Sequence, residues 1–189
     1  MRPIGALLAS VVICPSSLDA AVPEMPKWSW VRLGAKDLAM IWPLVSVGDE
    51  DLSRETWQRA TAGWLEKKDR GVVAIRVAGG PALAAFQFAA EGPEGCAPCC
   101  FIVRLWVVEP GLPGRSLRAC LAMARNFARA HAFHGVFLER AAVDPHLDDR
   151  HVDRCAGHCG YLSCREGWYA PPTGIHDVVT LPRRRAGQD

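Results

Sequence analysis

At 189 residues, half of them hydrophobic, the chain suits one domain with a sizeable core, or a domain with an appendage. A net charge of +2 is too mild to argue for a nucleic-acid partner. No apolar run approaches the ~20 residues of a membrane span, so no membrane partner is expected either.

Residues 1–24 read as an N-terminal extension, disordered or added by a start codon placed too far upstream. Arg2 followed by Ile4–Ile13 resembles a weak signal peptide, but Leu18-Asp19-Ala20 is a poor cleavage site and Val11-Val12-Ile13 before Cys14 is no convincing lipobox. Patterned sequence begins beyond Met25, at Pro26-Lys27-Trp28. The expected domain is 25–172, with 173–189 as a C-terminal tail carrying Arg183-Arg184-Arg185.

Trp28–Leu33 reads as a strand. Ala35–Leu44 reads as a helix, because Leu38, Ile41, Trp42 and Val45 recur at i, i+3, i+4 and i+7. Leu52–Lys68 reads as a second helix burying Leu52, Trp57, Ala60 and Trp64; Ser53 with Thr56 makes no capping box. Gly71–Ala78 and Leu83–Ala90 read as an antiparallel hairpin across Gly79-Gly80-Pro81. Phe101–Val108 reads as a further strand, with Phe101, Val103, Leu105 and Val107 on one face and Ile102, Arg104, Trp106 and Val108 on the other.

The best-patterned element follows, a helix from about Ser116 to His131. Leu117, Cys120, Leu121, Ala124, Phe127 and Ala128 line its apolar side, and Arg115, Arg118, Arg125 and Arg129 its polar side. Val136–Leu138 is a strand, Pro145–Arg154 a short helix rich in His and Asp, and Gly160–Cys164 and Trp168–Ala170 short strands. Val178–Leu181 could add an edge strand. The plan is α+β: a mixed, mainly antiparallel central sheet flanked by helices.

Chemistry concentrates at the turn Pro110-Gly111-Leu112-Pro113-Gly114 between the Phe101–Val108 strand and the long helix. A strand, a Gly-bearing loop and a helix N-terminus gather backbone N–H groups and the positive end of a dipole, which suits a phosphate. Arg115 and Arg118 would add charge. The plainer alternative is an ordinary turn with Ser116 as N-cap.

Eight cysteines are not spaced as a disulfide framework, and Cys120 lies on an apolar helix face, so the thiols read as reduced and the compartment as cytoplasmic. Cys96, Cys99 and Cys100 with Cys155, His158, Cys159 and Cys164 could supply zinc ligands, though small buried hydrophobes are the plainer account and no metal is expected. A Cys nucleophile with His134 or His158 is a further alternative. His146 and His151 with Asp148 and Asp149 read as a metal patch or, more simply, a solvated acidic helix.

The element order, with Trp106-Val107-Val108 leading through Leu112-Pro113-Gly114-Arg115-Ser116-Leu117 into the longest helix and Gly160-Tyr161 followed by Trp168, resembles the GNAT family of acyl-CoA-dependent N-acyltransferases over about residues 28–170. The resemblance implies acetyl-CoA or another acyl-CoA as cofactor. It implies cofactor contacts at Trp106, Val107, Val108, Leu112, Gly114, Arg115, Ser116, Leu117 and Arg118. It implies a small-molecule or protein amine as acceptor, attacking the thioester directly in a ternary complex, with strand-end N–H groups near Val108 stabilising the oxyanion. Glu109 and Glu139, at strand ends, are candidate bases, and Tyr161 or His158 candidate proton donors to the thiolate. The chain departs from the family in keeping only Gly114 of the loop's small residues, in having Pro113, which lacks an N–H, and in placing Ala156 where a Tyr is frequent. These departures favour the alternative of a catalytically inactive ligand-binding or interaction module, possibly zinc-stabilised.

Overall fold

The computed structural model describes residues 27–47, 51–77, 79–108, 114–143 and 147–171. The N-terminal extension, the C-terminal tail with Val178–Leu181, Met25, Leu112 and Glu109 lie outside the described residues.

Among the described residues one sheet of seven strands runs in the order β1-β2-β3-β4-β5-β7-β6. The strands are β1 (Trp28–Leu33), β2 (Arg70–Val77), β3 (Ala82–Glu91), β4 (Cys99–Val107), β5 (Val136–Glu139), β6 (Leu162–Ser163) and β7 (Gly167–Ala170). Neighbours are antiparallel except β4 and β5, which are joined through the crossover helix α3 (Arg115–Ala130) and lie parallel. The expected α+β plan with a mixed, mainly antiparallel sheet is the one observed.

Ala35–Ile41 is a 3-10 segment, and only Trp42–Val45 (α1) closes into α-helix; Leu38, Ile41, Leu44 and Val45 are buried while Trp42 is only half-buried. α2 (Arg54–Leu65) starts where Ser53 accepts the Thr56 N–H at 3.2 Å, so a single N-cap bond suffices without a capping box. It buries Trp57 and Thr61, whereas Ala60 is exposed. α4 (Asp149–His158) begins later than expected, because Asp148 is its cap and accepts the Arg150 N–H.

The sheet divides two apolar layers. α3 packs on one face, where Phe127, Leu117, Cys120, Leu121 and Ala124 meet Phe86, Phe88 and Ile102. The 3-10 segment, α1 and α2 cover the other, over Val72, Ala74 and Ala85. β4 changes faces part-way. Phe88 pairs with Ile102 and Gln87 with Arg104, so Val103 is an extra residue on β4, a bulge. Beyond it the alternation inverts. Ile102 and Leu105 both join the α3-side core, with Val107 packed against it, and Trp106 and Val108 pack on the opposite layer. Strict alternation, which grouped Leu105 and Val107 with Phe101, therefore fails after Val103.

Candidate active site at the fork between β4 and β5

The parallel pairing of β4 with β5 is short: Cys100 with Val136, Phe101 with Phe137 and Ile102 with Leu138. It stops at the Val103 bulge. β4 runs on to Val107 while still paired to β3 through Ala84, and β5 ends at Glu139. A bulge bends its strand and increases local twist, so two strands that part here leave a wedge. Among the described residues β5 offers no partner to the Val103–Val107 edge of β4.

The wedge opens into a cavity of about 770 Å³. Its described lining comes from distant parts of the chain: Trp57, Thr61 and Trp64 of α2, Gln87 of β3, Val103–Trp106 of β4, and Glu139 with the turn Ala141–Val143 after β5. Glu139 is half-buried at the end of β5, with its Oε1 buried. The strand end is held in place by neighbours. Glu139 pairs with Gly167, the Arg140 N–H donates to Glu166 O at 2.9 Å, and the Arg140 guanidinium donates to Asp149 at 2.9 Å while lying 4.4 Å over Trp168. Gly167 is required at this crossing, since a Cβ there would fall 2.0 Å from the Leu138 carbonyl oxygen.

The Val108 N–H donates to Leu83 O at 2.9 Å, toward β3. It is therefore committed to the sheet, so among the strand-end N–H groups expected near Val108 its own does not face the fork. Strand alternation turns the Val107 and Leu105 N–H groups to the open edge instead.

At the start of the crossover helix, Gly114 is the N-cap of α3 in the left-handed conformation, φ +78°. Arg115 is the first helical residue, so Ser116 lies one place inside the helix and is not its cap. Gly114 is close-packed: a Cβ would fall 2.8 Å from Cys155 Sγ and 2.9 Å from His151 Cε1. Ser116 and Leu117 are buried, Arg115 and Arg118 are exposed, and no acidic residue stands in the first turn. The helix N-terminus with exposed Arg115 and Arg118 makes this end positive. The described lining of the cavity ends at Trp106 and does not include Gly114.

Tyr161 is not brought to the fork. It is buried behind α3, its hydroxyl donates to Leu121 O at 3.0 Å, and burial pushes its pKa well above the ordinary range. His158 is exposed, with Nδ1 2.7 Å from Arg154 O. Arg125, expected on a solvated face, instead donates to Cys159 O at 2.6 Å and ties α3 to the end of α4. Gln87, Thr61 and Arg104 were missed as cavity residues. A lone Gln between Phe86 and Phe88 in an otherwise apolar strand was the available signal.

No disulfide joins the described cysteines. Among the described residues no three His, Cys, Asp or Glu side chains gather as a metal would need. The thiols serve packing: Cys99 meets Gly135 O, Cys159 meets Arg118 O and Cys164 meets Gly167 O. The histidine that meets a thiol is His151, whose Nε2 lies 3.7 Å from Cys155 Sγ, in place of the expected His134 or His158. Burial, with the Glu91 carboxylate adding, pushes Cys99 to about 12, and burial also raises Cys100 and Cys120. These thiols are inert rather than nucleophilic. The folded state holds their protons more tightly than the unfolded chain does. Their stabilising contribution is thus complete below the ordinary thiol value of 9.0 and is lost as pH rises from there toward the folded values. The melting temperature should fall as pH is raised past 9.0; a flat profile up to about 12 would contradict this.

No family model matches the chain, and no curated protein matches it in sequence. Solved structures do match. A chimera of the spermidine N-acetyltransferase SpeG from Vibrio cholerae and hSSAT superposes with a TM-score of 0.59 at 10% identity, over 77% of this chain and 95% of that one. The fold is that of the GNAT N-acetyltransferases. The aminoglycoside 6'-N-acetyltransferase AAC(6')-Ih from Acinetobacter baumannii gives a TM-score of 0.53 at 12% identity, covering 84% and 99%. The aminoglycoside N-acetyltransferase AAC(6')-Iy, solved in complex with CoA, gives 0.54 at 12% identity, covering 87% and 99%. The GNAT fold agrees with the strand fork and crossover helix described above. Among the described residues no helix is long and apolar enough to cross a membrane.

Proposed function

We propose that this protein transfers an acyl group, acetyl in the first instance, from acyl-CoA to an amine by direct attack within a ternary complex. The observation that carries the reading is the open β4 edge from Val103 to Val107 beside the cavity that Glu139 lines. An extended amide-bearing arm can pair with such an edge as a further strand would. The neighbour solved with CoA supports the same donor class here. Arg115, Arg118 and the first turn of α3 would meet the diphosphate, with Gly114 allowing the tight entry into the helix.

The chemistry then needs a base and an oxyanion donor. Glu139, directly or through water, takes the proton from the attacking ammonium or amine. The amine nitrogen forms a bond to the thioester carbonyl carbon, and the Val107 N–H stabilises the oxygen as it gains charge. The C–S bond breaks, and the thiolate leaves with a proton from solvent, because Tyr161 is held elsewhere. Binding both reactants in one cavity supplies the orientation, and no covalent enzyme intermediate is required. The placement of Tyr161 favours a second reading, a non-catalytic ligand-binding module on the same fold.

Acetyl-CoA should raise the melting temperature, since a ligand that binds only the native state stabilises it by about 2.7 kcal/mol at a hundredfold excess over Kd. An unchanged melting curve at saturating acetyl-CoA would end the transfer reading. Thiol release across a panel of amines separates them: turnover supports transfer, and stabilisation without turnover leaves the binding module.

A further inference from the structure

Three tryptophans wall the α2 side of the cavity. Trp57 and Trp64 stand seven residues apart on α2, two turns, and so share a face. Trp106 comes from β4, beyond the bulge that turned it to this side. Trp106 meets Trp57 edge-on with ring centres 6.4 Å apart, and Trp42 backs Trp57 at 5.7 Å. The Arg70 guanidinium lies over the Trp64 ring at 4.0 Å. Among the described residues, the cavity lining holds one carboxylate, Glu139, and one guanidinium, Arg104.

We propose that the acceptor is a monoamine carried on a flat aromatic body, with Trp57, Trp64 and Trp106 receiving the ring and Glu139 the amine. The inference rests on the acyl-transfer reading of this site. Aromatic rings pair edge-to-face or offset with other rings and gain about 0.5–1.5 kcal/mol per pair beyond their buried area. Indoles also attract cations, but Arg70 already lies on Trp64, and Arg104 is the guanidinium of the described lining. A polycation would bring several positive charges toward Arg104, with Glu139 as the carboxylate of the described lining to oppose them. A single ammonium on an apolar ring meets less of that repulsion and can be matched one-to-one by Glu139. The cavity volume of about 770 Å³ is of the size that holds small organic molecules. The acceptor class thereby differs from the spermidine and aminoglycosides named for the structural neighbours.

Calorimetric titration of the full chain with tryptamine and with spermidine tests this, with and without CoA. Tryptamine should bind at least about tenfold more tightly than spermidine, the sum of roughly two ring contacts. Trp64→Leu and Trp106→Leu should each weaken tryptamine binding and leave spermidine unaffected, with folding checked by melting. Trp64→Phe keeps a ring on the more exposed helix and should retain most of the affinity. Equal or tighter binding of spermidine, a preference that survives both leucine variants, or binding of neither amine overturns the inference. A failure of the acyl-transfer reading is distinguishable: acetyl-CoA would give no stabilisation, while the titration without CoA would still report on the aromatic wall.

Discussion

Glu139→Gln is expected to lower kcat for amine acetylation by about 10²–10⁴-fold, the usual contribution of a positioned general base. The substitution keeps the shape of the side chain and removes its capacity to take a proton. The residue ends β5, where Gly167 and Arg140 fix the backbone, so the fold and the open edge of β4 should persist. Acetyl-CoA should still raise the melting temperature as it does in the parent protein. The discriminating readout is the pH–rate profile: the rising limb due to the base should vanish in Glu139→Gln. If kcat and its pH dependence are unchanged, Glu139 only shapes the cavity, and the proton leaves by another route.

Phe127→Ala is expected to remove about 3–5 kcal/mol of stability, as truncation of a fully buried phenyl ring usually does. Phe127 has no exposed surface and sits where the crossover helix meets the sheet. Its ring centre lies 5.2 Å from Trp30, 5.8 Å from Phe86, 5.1 Å from Phe88 and 6.0 Å from Phe133. The layer on that face thus converges on one side chain. Against a typical total of about 5–15 kcal/mol, such a loss approaches the whole stability of the fold. Denaturant unfolding checks it. A loss below about 1 kcal/mol would mean that the neighbouring rings collapse into the space and that α3 is held chiefly elsewhere.

The two variants probe different links of one construction. Phe127 holds α3 on the sheet, and the first turn of α3, entered through Gly114, is the part proposed to meet the diphosphate. Glu139 stands across the fork that the same crossover creates. A destabilised α3 should weaken acetyl-CoA binding without changing the pH profile, whereas loss of Glu139 should do the reverse.

Much of this was readable in the residues themselves. β1 from Trp28 to Leu33, the β2–β3 hairpin across Gly79-Gly80 and the apolar face of α3 follow from local periodicity and turn chemistry, which act over a few residues. The order of these elements pointed to the GNAT fold, and Glu139 was marked from its strand-end position, whereas Trp106 was expected only as a cofactor contact that the resemblance implied. Other features depend on contacts between distant segments. The Val103 bulge has no glycine or proline to announce it, yet it inverts the faces of β4 and ends its pairing with β5. The direction of the Val108 N–H is decided by Leu83 on another strand. Tyr161 is drawn to a carbonyl of α3 forty residues away, which takes it from the fork. The aromatic wall exists because α2 packs on the face of the sheet to which Trp106 of β4 is turned. The sequence by itself determined the order of the helical and extended segments. Tertiary packing alone decided which side chains share the cavity, because register, bulges and hydrogen-bond partners are settled between strands and not within them.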